Sequence, residues 1–177
     1  VDSLTELHNH RFFYEAVSRE VSRGRRFTRP VSLLVMDVDG FKAFNESYGH
    51  NEGDRALKAI AHILRTEVRE IDIIARYGGD EFAILLPEVG VVNGAGATNA
   101  IPVADRIRLA IAAKSFSSDD DVSMTVSVGI AEYPAHAPDA EQLLERASWA
   151  LREAKARGKN RVVVAPLARQ PGKDLPL

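Results

Sequence analysis

The sequence predicts an α/β fold, an α+β sandwich built on a ferredoxin-like βαββαβ core. Three observations carry this expectation. A continuous apolar strand ends in acid, two short strand-like runs flank a Gly-Gly pair, and amphipathic stretches fill an order that reads α-β-α-α-β-β-α-β-α-β. Such a core gives a mainly antiparallel sheet with helices on one face.

The opening stretch, Asn9 to Phe27, is helical in pattern. Phe12, Phe13, Ala16, Val17 and Val21 share one broad face, and Arg19, Arg23 and Arg26 recur on another. Pro30 resets the chain before the strand Val31–Asp39, where Leu33, Val35, Asp37 and Asp39 point to one side. Gly40 opens a short polar segment through His50, and a helix follows over Glu52–Val68. Asp72–Tyr77 and Asp80–Leu86 then form a hairpin, with Gly78-Gly79 as its type I′ turn. Val89–Pro102 is a Gly-, Asn- and Ala-rich loop. Beyond it lie a helix over Val103–Lys114, the acidic loop Asp119–Asp121 and a strand over Val122–Ile130. A helix over Glu141–Arg157 ends at Gly158, and Arg161–Ala165 is the closing strand.

The 177 residues, 45% apolar and 7% aromatic, amount to one domain, expected over 1–165, with 166–177 as a Pro- and Gly-containing tail or linker. Twenty-three basic against 25 acidic residues leave a net charge of −2, which argues against a nucleic-acid binder. Without cysteine there is no disulfide, zinc knuckle or thiol chemistry, and any metal is held by oxygen or imidazole. No apolar run reaches the ~20 residues of a membrane helix, so the expectation is a cytoplasmic domain without membrane contact of its own. The start at Val1-Asp2, without methionine, suggests a fragment of a longer protein, itself open to membrane anchoring through an N-terminal region.

In a βαββαβ sheet strands one and three are neighbours, so Asp37 and Asp39 meet Asp80 and Glu81 at one site. Strand alternation lets only one of Asp80 and Glu81 share a surface with Asp37. Gathered carboxylates without cysteine or a histidine pair are the ligand set of Mg²⁺, with Mn²⁺ as its substitute, and such a site suits phosphoryl transfer. The plainer reading makes these acids a turn before Gly40 and the flanks of a hairpin.

Further blocks weigh against that plainer reading. Arg76-Tyr-Gly-Gly-Asp-Glu-Phe82 resembles the signature of the GGDEF family, the diguanylate cyclases. Asp2-x-Leu-Thr5 with Asn9, Asp37-x-Asp-x-Phe-Lys42, Asn45, Tyr48-Gly-His50, Gly53-Asp54, Ser127-x-Gly129 and Ala154-Lys155-x-x-Gly158-Lys-Asn160 resemble its other blocks in order. The resemblance implies the palm fold of nucleotidyl cyclases and the condensation of two GTP into cyclic di-GMP with release of two pyrophosphates. It implies Asp37, Asp80 and the Val38 carbonyl as metal ligands, and Asp80 or Glu81 as the base for the 3′-hydroxyl. Lys42 takes the part of the transition-state lysine, and Lys155 and Lys159 become phosphate contacts. Asn45 and Asp54, with His50 nearby, become guanine readers, a carboxylate being able to accept from guanine N1–H and N2–H₂.

Arg69-Glu-Ile-Asp72 stands where the family carries its RxxD product-inhibition site, with Arg106 as a further contact. The resemblance also implies a homodimer, since each domain holds one GTP, and a sensory or receiver domain N-terminal to this fragment. The chain departs from the pattern at Glu6, His10, Ser148 and Arg152, none of them a metal, base or guanine position. The rival expectation is a catalytically silent module that senses GTP or cyclic di-GMP.

Overall fold

The computed structural model describes residues 1–91, 99–117 and 122–168. Its elements are α1 (His10–Phe27), β1 (Val31–Asp39), α2 (Phe41–Tyr48), α3 (His50–Glu67), β2 (Ile73–Arg76), β3 (Glu81–Pro87), α4 (Ala100–Ala112), β4 (Thr125–Tyr133), α5 (Ala140–Ala156) and β5 (Val162–Val164). The sheet order is β2-β3-β1-β4-β5, so the first four strands keep the ferredoxin-like arrangement with β1 at the centre. β1 runs antiparallel to β3 and β4, and β5 adds a parallel edge to β4.

Helices cover both faces of the sheet, not one. Leu34, Met36 and Val38 pack with Leu57, Ile60 and Leu64 of α3 and Ile107 of α4. Leu33 and Val35 pack with Phe13 and Val17 of α1 and Leu143 and Leu151 of α5. A strand buried on both sides has no polar face, which is why β1 reads as an unbroken apolar run rather than an alternation.

Several local expectations shift. Two helices separate β1 from β2, as the expected order has it, and the polar segment after Gly40 is the first of them, α2, with Phe44 as its buried residue; one buried side chain in eight leaves little periodicity from which to read its bounds. Phe12 lies outside the α1 face and stacks on His8 at 3.9 Å between centroids. The Gly-Gly link is not a type I′ turn, because neither Gly78 nor Gly79 has positive φ. Instead Tyr77 and Gly78 both donate to the Glu81 carbonyl, closing a wider connection from Tyr77 to Asp80. α4 begins at Ala100, where the Asn99 side chain accepts from the Ile101 N–H. Pro102 then falls in the first turn, whose N–H groups need no intrahelical partner. β4 starts and ends later than its apolar run suggests because β1 pairs with it from Asp39↔Thr125 to Val31↔Tyr133. The acidic loop Asp119–Asp121 and the last nine tail residues, 169–177, lie outside the described residues.

Two side-chain caps fix α1 and α5: Asn9 accepts from the Phe12 N–H and Asp139 from the Gln142 N–H. α5 lies close enough to the sheet that a Cβ on Gly129 would stand 2.3 Å from the Ala147 carbonyl oxygen and the Leu151 nitrogen.

One buried histidine is expected to make the fold acid-sensitive. His136 Nδ1 accepts the Glu132 N–H at 2.8 Å. Burial, with the Arg146 charge, holds its proton affinity below the usual value, although Glu132 pulls the other way. The unfolded chain therefore binds more protons near pH 6, and stability is expected to fall as pH drops below about 6.5. Thermal denaturation from pH 7 to pH 5 should show this slope, and His136→Gln should flatten it; an unchanged slope would assign the effect elsewhere.

Candidate functional site

A cleft of about 520 Å³ opens between α2, the start of α3 and the loop joining β2 to β3. Lys42, Asn45, His50, Asp54, Arg76 and Asp80 are among its lining residues. Five residues singled out from the sequence thus meet around one space of nucleotide size. Lys42 reaches from the first turn of α2, 92% exposed, with only a 3.9 Å approach to Glu46. Asn45 Oδ1 is buried and has no hydrogen-bond partner. A buried carbonyl oxygen left so costs about 1–3 kcal/mol until a donor reaches it.

Behind the cleft lies the end of the sheet. Asp37 on β1 stands directly opposite Glu81 on β3, so Glu81 is the carboxylate that shares its face, as alternation requires of one of the two. Asp80, the residue before β3, offers its carbonyl to the Val38 N–H at 3.1 Å, and its charge also acts on Asp37. Asp37 is buried, and Lys155, from the last turn of α5, meets its Oδ1 at 2.6 Å. Burial pushes the Asp37 carboxyl up, and the negative charges of Asp80 and Glu81 add to this against the pull of Lys155.

Among the described residues no group of three His, Asp or Glu side chains is arranged to encircle an ion. The donor set nevertheless fits a hard divalent cation. Asp37 and Asp80 are hard oxygen donors that repel one another, next to a strand-end carbonyl at Val38, and a cation relieves that repulsion.

The structure assigns parts to residues that sequence reasoning quoted without a role. Arg76 grips the Gly79 carbonyl with Nε and Nη2 at 3.1 and 2.7 Å and holds both Asp2 carboxylate oxygens at 3.2 and 3.3 Å. Asp2 in turn caps Thr5 through its N–H and hydroxyl. Burial raises the Asp2 carboxyl, but the bonds from Thr5 and Arg76 outweigh it and hold it below its usual value. Asp39 is a tie rather than a free ligand: it accepts from Thr125 Oγ1, Ser127 Oγ and the Asn160 N–H. It thereby pins the left-handed turn of Lys159 (φ 63°) and Asn160 (φ 44°) that follows Lys155. Lys159 itself is exposed. The motif spacing signalled these residues; their contacts, which join segments far apart in sequence, were not readable from it.

The second predicted site stands at the opposite end of β3. Arg69 grips Asp72 through Nη2 and Nε at 2.6 and 3.2 Å and also reaches the Pro87 carbonyl. Asp72 has a side chain only 2% exposed, and Arg106 pairs with Glu67 at 2.6 Å. In this structure Arg69 and Arg106 are therefore held by partners of their own.

A family model described as diguanylate cyclase, GGDEF domain, matches residues 1–161. Diguanylate cyclase DosC of Escherichia coli (strain K12) is 38% identical over 164 residues, 92% of this chain and 34% of that protein. The chain thus spans about a third of the length of the curated relatives it matches. The isolated GGDEF domain of TpbB (YfiN) from Pseudomonas aeruginosa superposes with a TM-score of 0.86 at 36% identity, covering 94% of each chain. The GGDEF domain of DgcB from Caulobacter crescentus, solved in complex with c-di-GMP, gives 0.82 at 29% identity, over 93% of this chain and 94% of that one.

Proposed function

The chain belongs to the diguanylate cyclase GGDEF-domain family, and from that premise we propose that it joins two GTP into cyclic di-GMP across a homodimer. What carries the reading is the single cleft lined by Lys42, Asn45, His50, Asp54 and Asp80. In each half-reaction a 3′-hydroxyl oxygen bonds to the α-phosphorus of the other GTP. The bond to pyrophosphate breaks, and the hydroxyl proton passes to Asp80 or Glu81. Asp37, Asp80 and the Val38 carbonyl would hold Mg²⁺, or Mn²⁺ in its place, which supplies charge neutralisation of the phosphates when bound. Lys42, Lys155 and Lys159 offset the charge that grows on the departing pyrophosphate. Asn45 and Asp54, with His50 beside them, read the guanine edge; the unpartnered Asn45 oxygen is an acceptor in want of a donor.

One GTP per domain makes the monomer inert, so cyclic di-GMP should rise faster than linearly with protein concentration. Chromatography of the products checks this. Bound GTP with no turnover, even in a forced dimer, leaves the silent binding module instead.

Arg69, Asp72 and Arg106 form the product site in this reading, exchanging their present partners for phosphate and guanine. Arg69→Ala is then expected to raise the inhibitory concentration of cyclic di-GMP by about 10- to 100-fold, the worth of a charged hydrogen bond. An unchanged inhibition curve removes Arg69 from that site.

Gly53 sets the specificity seat. A Cβ there would stand 1.8 Å from Asn45 Oδ1, so Gly53→Ala must drive the amide away. The expected result is a KM for GTP raised about tenfold with kcat changed less than about twofold, the loss of one recognition contact. A fall in kcat alone would contradict the seat.

A further inference from the structure

We propose that Lys155 is the resident counter-ion of Asp37, that the divalent cation competes with it for that carboxylate, and that this competition makes cation and nucleotide bind cooperatively. The inference rests on reading Asp37 as a cation ligand.

Three carboxylates crowd the end of β1 and β3, and the Lys155 ammonium makes the 2.6 Å contact with the buried one. Asp37 keeps only 11% of its side chain exposed, whereas Lys155 keeps 37%. The acid is fixed in the strand, but the lysine, on four methylenes from the last turn of α5, can swing out. A divalent cation on Asp37 brings a second positive charge within a few ångströms of the Lys155 ammonium, and the two like charges compete for the one carboxylate. Without nucleotide, loading the cation strands the ammonium beside a like charge. A triphosphate gives that ammonium a new partner, so each ligand favours the other through Lys155.

The test titrates Mn²⁺ alone into the purified, nucleotide-free protein and follows the free-ion resonance by EPR. Lys155→Met should bind Mn²⁺ roughly tenfold more tightly than the unchanged protein, because it removes the competitor for Asp37. Lys155→Gln repeats the test with a polar neutral side chain. Arg157→Met removes a cation two residues on, already paired with Glu153 and 56% exposed, and should change affinity less than about twofold. Guanosine diphosphate should tighten Mn²⁺ binding in the unchanged protein and do so less in Lys155→Met.

Equal or weaker Mn²⁺ binding in both Lys155 variants overturns the counter-ion role and leaves the cyclase reading intact. So does a gain in Arg157→Met as large as theirs, which would mark a general charge effect. No Mn²⁺ binding in any of these proteins overturns the proposal together with the cation site.

Discussion

Asp80→Ala is expected to lower cyclic di-GMP formation by about 10³-fold or more under the proposed reading, in which this carboxylate holds the cation next to the reacting hydroxyl. The fold should survive the change. Asp80 supports the sheet through its backbone carbonyl, which accepts the Val38 N–H and remains in the variant. Unfolding free energy within about 1 kcal/mol of the unchanged protein, measured by urea titration, would show that the loss is chemical. Glu81→Gln separates the two acids: if Glu81 is the base, its loss should also abolish turnover while Mn²⁺ binding persists. Activity above a tenth of normal in Asp80→Ala would remove that residue from the reaction.

Gly129→Ala should cost about 3 kcal/mol of stability, the upper range of overpacking in a core. At Gly129 the backbone of α5 rests on β4, and the added methyl would overlap both the Ala147 carbonyl oxygen and the Leu151 nitrogen at 2.3 Å. Neither atom belongs to a side chain that can turn aside, so the whole helix must lift. Lys155 stands on that helix, and activity should fall with stability. Gly79→Ala is the control, with nothing within 4 Å of the added carbon and no positive φ, and should alter stability by less than about 0.5 kcal/mol. Equal destabilisation by the two changes would refute the close approach at Gly129.

The element order and the strand neighbours were legible because Val31–Asp39 and the runs around Gly78-Gly79 carry strong local signals. So was the meeting of Asp37 with the acids after the glycines, a consequence of topology and strand period. Three things were hidden for physical reasons. The bounds of α2 were hidden, because it buries only Phe44 and its helical period has almost no apolar contrast. The turn geometry at Gly78-Gly79 is decided by the Arg76 guanidinium and the Glu81 carbonyl, not by glycine's freedom alone. The separate duties of Asp37 and Asp39 depend on Thr125, Ser127 and Asn160, more than 80 residues away, and no spacing rule reaches that far.

The Arg76 guanidinium joins residue 2 to residue 79, beside the backbone bonds that tie His8 to β2. A planar group with bonds on two edges acts as a rigid strut. It gives the Gly79 carbonyl both of its side-chain donors while holding the carboxylate that caps Thr5. The wall of the cleft is thus tied to the start of the chain twice, through the Arg76 side chain and through the backbone pairing of His8 with β2.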